Sequence, residues 1–401
     1  MGKIESYLKR AFEQSDISYL EDYYDLYAFV SNEDLRKLLA AYHTQLNHWF
    51  TVLNEDILTA YDEDGNPTYN GGYFRAQDSR DYLDLIAGLD KLRTQLSSSE
   101  YAFRLCNDAY DDRIRRCRRF VVKSNGSTIP KGFPPIDLEE LNPIFRMDNS
   151  IAISHDKKVL YANLESIGQG SYARVFAYID PTYQIPIVLK RALPELDNKE
   201  IARFKLEFET LKSLKSPYII EVYYYDSTKH EYTMERMDET IYDYIRKNNT
   251  TLSLADRKKI IAQVCRGLVY IHSKNLFHRD ISLTNVFIKH FEDTDVVKIG
   301  DFGLVKIPDS TLTSLQSELK GSLNDPDLVN VGFNNYEMCH ETFALTRLCY
   351  YILTGRTNID RQKDGMIKQF WNQGTSPDRS RRFQSVSEVD KAIKQITDTN
   401  K

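Results

Sequence analysis

The chain has 401 residues, 28% of them charged, with a formal net charge of −5. That length accommodates two or three domains, each with a sizeable core. The small net charge argues against a protein that binds nucleic acid or membrane over its whole surface, while leaving room for a local patch.

The N-terminus, Met1 to Tyr7, lacks an apolar signal region. Met1-Gly2 with Ser6 fits the loose myristoylation pattern, but Tyr7-Leu8 reads as the start of a helix face. No apolar run reaches the ~18 residues of a spanning helix, so no membrane span is expected. The cysteines, Cys106, Cys117, Cys265, Cys339 and Cys349, are scattered without Cys-x-x-Cys spacing. Neither a disulfide framework nor a zinc site is expected, and the expected setting is a reducing cytoplasm.

Ile4, Tyr7, Leu8, Ala11 and Phe12 recur at helical spacing. A second helix is capped by Ser31, with Asp34 completing a capping-box-like pair. Its apolar stripe is Leu35, Leu38, Leu39, Tyr42, Leu46, Trp49, Phe50 and Leu53. Asp62 to Pro67 and Asn70-Gly71-Gly72 are loop signals. A calcium loop would need a bidentate acid at its end, where Gly72-Tyr73-Phe74 stand instead, so a solvated loop is expected.

A third helix follows from about Ser79, with Tyr82, Leu85, Ile86, Leu89, Leu92 and Leu96 inward. A fourth is expected over 99–119. It carries Asp108, Asp111 and Asp112 early, and Arg113, Arg115, Arg116, Arg118 and Arg119 late, which complements the helix dipole. The arginine run reads first as a solvated helix end and second as a docking patch for an acidic partner. No aromatic interleaving favours nucleic acid. This all-α domain, 1–122, carries no catalytic constellation; regulation, partner recruitment or homodimerisation is its expected business. Residues 123–156 are rich in Ser, Asn, Gly and Pro and read as a linker, with Leu138, Leu141, Ile144 and Phe145 able to clip part of it onto a neighbour.

Beyond the linker the pattern turns to strands. Ile167-Gly168-Gln169-Gly170-Ser171-Tyr172-Ala173-Arg174-Val175 is a glycine hairpin whose backbone amides can approach phosphate oxygens. By itself Gly-x-Gly-x-x-Ala is equally a plain hairpin. An apolar strand including Val188 ends in Lys190, fifteen residues past Val175. A helix with Phe204, Glu207, Phe208 and Leu211 follows, and then two strands, the second ending Met234-Glu235. A long helix over 254–273 leads into His278-Arg279-Asp280, with Asn285 five residues after Asp280 and Asp301-Phe302-Gly303 sixteen beyond Asn285.

These residues resemble the catalytic core of the eukaryotic-like (Hanks-type) protein kinases, His-Arg-Asp-x-x-x-x-Asn followed by Asp-Phe-Gly, over about residues 157–396. The resemblance implies an α+β bilobal kinase domain, 157–398, with a β-rich N-lobe (157–237) and a mainly helical C-lobe (238–398), preceded by the all-α domain. It implies ATP and Mg2+ as cofactors and a protein as substrate, with serine or threonine favoured as the phosphorylated residue. Asp280 would orient the substrate hydroxyl, and Asn285 and Asp301 would hold magnesium. Lys190 would touch the α- and β-phosphates and pair with Glu207, with Glu209 as the other candidate. Ile167, Gly168, Gly170, Val175, Val188, Met234, Glu235, Met237 and Phe287 would line the nucleotide site. His278, Phe302 and Leu211 would form a packing column.

Three departures accompany the resemblance. Ser282 stands where serine/threonine kinases usually carry a lysine, which motivates an alternative: a nucleotide-binding pseudokinase scaffold with weak transfer. The Ala-Pro-Glu element is replaced by Asp325-Pro326-Asp327, with Asp327 expected to pair with Arg382. Glu341 takes the position of the aspartate that anchors the catalytic loop. Ser310, Thr311, Thr313, Ser314, Ser317 and Ser322 lie between Gly303 and Pro326, and with Arg279 they suggest activation-loop autophosphorylation. An aminoglycoside-type small-molecule kinase usually reads His-Gly-Asp, so Arg279 weighs against that class.

Overall fold

The computed structural model describes residues 3–13, 23–106, 108–155, 158–302, 323–360 and 362–397. The chain divides into two compact units, 1–165 with 178–185, and 166–177 with 186–401.

Helices dominate the first part of unit one: α1 (Lys3–Glu13), α2 (Glu33–Glu55), α3 (Ala76–Leu96) and α4 (Asp108–Cys117). The α2 stripe is buried as its spacing demands, with Leu35, Leu39, Leu46 and Phe50 fully enclosed and clustered with Tyr82, Ile86, Leu89, Leu92 and Leu96 of α3. Each fully buried leucine of this kind stabilises the fold by roughly 1.5–3 kcal/mol relative to exposure. The cap of α2 is Asn32, one residue beyond the expected Ser31; its Oδ1 accepts the Leu35 amide at 3.0 Å.

Three expectations for this region are corrected. Residues 62–66 form the expected exposed turn, but Asn70-Gly71-Gly72 is not a loop: it lies in the second strand of a hairpin, β1 (Ile57–Tyr61) and β2 (Pro67–Phe74). The Asp62 carboxylate accepts the amides of Asp64 and Asn66 at 3.0 and 2.8 Å, so this acid serves its own turn. Gly72 permits the close approach of the strand, because a Cβ there would lie 2.0 Å from the Asp56 carbonyl.

The fourth helix starts at Asp108 rather than near 99, because Phe103–Leu105 forms β3. There Phe103 and Leu105 turn inward and Arg104 outward, the period of a strand. The arginine run lies at an exposed helix end, as expected, and several of its members contact neighbours on the same unit. Arg113 lies over Tyr110, Arg116 lies over Phe133, and Arg115 and Arg118 pair with Asp112 and Asp90.

Residues 123–156 are not a spacer. They supply β4 (Ser127–Ile129), which pairs with β2, β5 (Phe145–Met147), which pairs with β3, and β6 (Ser150–His155), which pairs with β7 (Lys158–Asn163). Polar side chains of α2 hold the stretch between. Asn54 exchanges hydrogen bonds with the Ile136 backbone at 2.8 and 2.7 Å, and Asn47 donates to the Glu139 carbonyl at 2.8 Å. His43 is fully buried. Tyr27 Oη accepts the Ile144 amide and therefore donates to His43 Nδ1 at 3.0 Å, leaving His43 Nε2–H for the Glu139 carbonyl at 2.7 Å. This network adds to the burial of Ile129, Phe133, Ile136, Ile144, Phe145 and Met147 in the core of unit one, the clip expected of Ile144 and Phe145 among them.

Unit two begins with a five-stranded sheet of order β11-β12-β10-β9-β8. Its strands are β8 (Glu165–Gln169), β9 (Ala173–Ile179), β10 (Pro186–Ala192), β11 (Val222–Asp226) and β12 (Glu231–Glu235), with the β9–β10 turn assigned to unit one. Helix α5 (Asn198–Ser213) interrupts them, opened by a capping box between Asp197 and Glu200. The rest is mainly helical: β13 (Glu239–Thr240), α6 (Ile241–Asn248), α7 (Leu254–Ser273), β14 (Val286–His290), β15 (Asp295–Ile299), the short α8 (Leu328–Val331), α9 (Met338–Thr354), α10 (Met366–Gly374) and α11 (Val386–Gln395). A continuous apolar core joins α5, α7, α9 and α11. All five cysteines are free thiols. Among the described residues no helix is long and apolar enough to cross a membrane.

Burial holds the His43 imidazole down to about 4, against the donation to the Glu139 carbonyl that raises it. A histidine whose folded value is depressed contributes stability above its unfolded value of ~6.5, and that stability is lost as pH falls towards 4. Denaturant titrations should therefore show unit one losing about 2–3 kcal/mol between pH 7 and pH 4. The His43→Leu variant should lack this component; an identical pH slope in both proteins would assign it elsewhere.

Candidate active site

The strand register places the first group of site residues. In the β10–β12 ladder Val188 stands opposite Met234 and Lys190 opposite Tyr232. Directly opposed residues share a face of an antiparallel pair, and the two-residue period puts all four side chains on one face. Glu207 comes to this face from α5 and is 6% exposed. Lys190 Nζ donates to Glu207 Oε1 at 2.7 Å and lies 3.4 Å from Asp301 Oδ1. Glu209 points elsewhere and pairs with Lys205 on the exposed side of α5. Burial alone would lower the Lys190 ammonium, but Asp301 and Glu207 outweigh it and hold the group well above its ordinary value.

Gly170 N–H closes the glycine turn onto the Ala173 carbonyl at 2.8 Å, and Ala173 is buried. Ile167, Gly168 and Gly170 are exposed, while Val175 and Phe287 are half-buried. A Cβ added at Gly168 would meet nothing within 4 Å, so the turn leaves open space beside its backbone. Met237 lies beyond the end of β12. Glu235 makes a further tie: its carboxylate accepts from the Glu221 amide and from Lys298 Nζ of β15.

The second group is built on a buried carboxylate. Glu341, on α9, has no exposure. Its oxygens accept the His278 amide at 2.7 Å, the Arg279 amide at 3.1 Å, Tyr336 Oη at 2.7 Å and His272 Nε2 at 3.2 Å. Burial pushes the Glu341 carboxyl up, yet the hydrogen bond and charge of His272, with His278 and Tyr336, hold it down at about 2. The longer side chain of glutamate thus reaches the two loop amides expected of an anchor.

Held from below, the loop bends at Arg279, whose φ is 66°. A non-glycine residue in this left-handed region costs roughly 1–2 kcal/mol. His278 Nδ1 accepts the Asp280 amide at 3.2 Å, so its Nε2–H donates to the Gly300 carbonyl at 2.9 Å. That bond joins the loop to the strand end that carries Asp301. The His278 and Phe302 rings sit edge to face at 4.8 Å, and Phe302 shares a buried cluster with Leu211.

Asn285 Nδ2 donates to the Asp280 carbonyl at 2.9 Å and to Asp280 Oδ2 at 3.1 Å. Asp280 Oδ1 is buried with no hydrogen-bond partner among the described residues. Burial raises the Asp280 carboxyl above the usual range, opposed by His278 and assisted by Asp301. Asp301, at φ 59°, completes the set.

Residues 161–399 match the protein kinase domain family. This chain belongs to that family. The chain is 28% identical to an L-type lectin-domain containing receptor kinase of Arabidopsis thaliana over half of its own length and 31% of that relative. It is 28% identical to the serine/threonine-protein kinase zyg-1 of Caenorhabditis briggsae over 49% of the chain and 27% of that relative. It is 27% identical to cyclin-dependent kinase 14 of Xenopus tropicalis over 70% of the chain and 65% of that relative. The chain thus spans 31% and 27% of the length of the first two and 65% of the third.

One expected contact in the kinase domain is corrected. Arg382 forms its buried ion pair with Asp325, and Asp327 pairs instead with the more exposed Arg379. Asp325 and Arg382 are 3% and 4% exposed, whereas Asp327 starts α8 at the surface side of the turn. Sequence reasoning also missed Tyr232, Tyr336 and His272. For Tyr232 a signal existed, since it lies two residues before Met234 and so on the same strand face. Nothing local marks His272 and Tyr336, which reach Glu341 only through packing. The serines and threonines at 310–322 lie outside the described residues.

Removing the Glu341 carboxylate leaves two buried amides and a buried hydroxyl without acceptors, at about 1–3 kcal/mol each. Glu341→Ala should therefore lower unfolding free energy by at least about 3 kcal/mol. Urea titration checks this; a loss below about 1 kcal/mol would show that the loop does not depend on the anchor.

Proposed function

We propose that this chain is an ATP- and magnesium-dependent protein kinase that phosphorylates serine or threonine side chains of proteins. The observation that carries the reading is the hydrogen-bonded set Lys190–Glu207 and Asn285–Asp280, with Asp301 beside Lys190. The serine/threonine kinase names among the relatives support the choice of hydroxyl.

In this reading the kinase domain is 157–398. The phosphates of ATP lie under the glycine turn, where Gly168 and Gly170 leave room, and Lys190 meets the α- and β-phosphates. Val175, Val188, Met234 and Phe287 enclose the base, with Ile167 at the rim and the Glu235–Met237 backbone at its edge. The donor set suits magnesium. Asn285 spends its amide nitrogen on Asp280, which turns its oxygen the other way, and Asp301 offers a carboxylate. Magnesium, when bound, neutralises phosphate charge. Asp280 Oδ1, buried and without a partner among the described residues, is the acceptor for the substrate hydroxyl, which it orients towards the γ-phosphate. Residues 303–322 carry the autophosphorylation sites, and unit one serves regulation or partner recruitment, including self-association.

Ser282 favours a second reading, a nucleotide-binding scaffold with weak transfer. Its side chain is buried and lies 3.1 Å from the Thr284 hydroxyl, and neither residue carries a charge. A unit charge ~4 Å from the transferred phosphate is worth on the order of 4 kcal/mol at an effective dielectric of about 20.

Incubation with labelled ATP and magnesium, alongside Asp280→Ala, separates the readings. The wild type should incorporate label on serine or threonine, at least about 1000-fold faster than the variant, and chelation of magnesium should abolish it. Equal label on both proteins would refute the kinase reading. Nucleotide binding without transfer would establish the scaffold.

A further inference from the structure

We propose that Tyr232 is a positioning residue for the Lys190–Glu207 pair, its hydroxyl fixing the Glu207 carboxylate so that Lys190 is presented to ATP. The proposal rests on the kinase reading above and adds a third member to the pair.

Tyr232 Oη lies 2.7 Å from Glu207 Oε1, the same oxygen that accepts Lys190 Nζ at 2.7 Å. An ionised carboxylate can only accept, so the phenol must be the donor. Tyr232 is 1% exposed, and its ring centroid lies 5.9 Å from Lys190 Nζ. The ring packs on Phe204 at 5.2 Å and on Phe208 at 5.5 Å, with Tyr225 behind both. Phe204, Glu207 and Phe208 lie on one face of α5 at the i, i+3, i+4 spacing, so one side chain of the sheet grips the helix by its apolar and its polar groups together.

The division of labour follows from side-chain freedom. Lysine has a flexible four-carbon stem and here already divides its charge between Glu207 and Asp301. A bound phosphate would draw it further. The phenol has two torsions, is wedged by two rings, and cannot follow. Tyr232 therefore keeps Glu207 aimed while Lys190 shares itself with the nucleotide. It also stabilises the charged form of Glu207. The titratable groups facing that carboxylate are Lys190 of β10, Tyr232 of β12 and Asp301, and burial lifts it above the usual range despite Lys190.

The test uses the full chain. Tyr232→Phe keeps the ring and removes the donor; Tyr232→Met is a second donor-less variant, read the same way if the first folds poorly. At pH 7 kcat/KM for ATP should fall about tenfold. The acid limb of its pH profile should move up by half a pH unit or more, because Glu207 loses a hydrogen bond to its charged form. In parallel, affinity for a ribose-labelled fluorescent ATP analogue with magnesium is measured in a double-mutant cycle with Glu207→Gln. Tyr232→Phe should weaken binding severalfold in the wild type and less than twofold beside Glu207→Gln. An unmoved acid limb, or equal losses in both backgrounds, would overturn the proposal. The binding arm needs no phosphate transfer, so a chain that binds nucleotide without transferring refutes only the kinase reading.

Discussion

The buried carboxylate of Glu341 supports the His278–Asp280 loop from beneath, and most of the candidate site depends on it. A charge with no exposure costs several kcal/mol to desolvate. It persists because the backbone amides of His278 and Arg279, the Tyr336 hydroxyl and the His272 imidazole all point at it. Each such hydrogen bond to a charged group contributes about 1.5–3 kcal/mol, so the set offsets the burial. The result is a loop that can hold Arg279 at φ 66° and still place Asp280. From there the order passes upward. The Asp280 amide sets the tautomer of His278, and His278 ties the loop to Gly300, next to Asp301.

The sheet contributes the other half by different physics. No buried anchor is needed to bring Lys190, Val188, Tyr232 and Met234 together; the strand period and the β10–β12 register do it. Helix α5 then supplies Glu207, and the aromatic packing of Phe204 and Phe208 around Tyr232 sets where that helix lies. The two halves meet in the contact of Lys190 with Asp301, and the Glu235–Lys298 pair joins β12 to β15.

Unit one shows a different use of polar groups. Its apolar stripes make an ordinary helical core. Residues 123–147 are ordered jointly, by burial of Ile129, Phe133, Ile136, Ile144, Phe145 and Met147 in the unit-one core and by hydrogen bonding from His43, Asn47 and Asn54 of α2 to the backbone between them. The same feature makes this unit sensitive to acid, since a buried neutral imidazole is one of its ties.

Local chemistry carried much of this protein in plain view. The α2 and α3 stripes, the long helix over 254–273 and the ordered series Lys190, Glu207, Asp280, Asn285 and Asp301 follow from periodicity and motif spacing, because those patterns are written in residues close together in the chain. The hairpin at 57–74, the strand at 103–105 and the order of residues 123–156 were decided only by tertiary structure. In each case pairing with a distant strand or with α2 overrode a local loop or helix signal. The same holds for Asp325 rather than Asp327 as partner of Arg382, and for Tyr232 as donor to Glu207. A motif names which groups are present, while burial and register decide which of two neighbouring groups reaches the partner, and neither is set by local sequence.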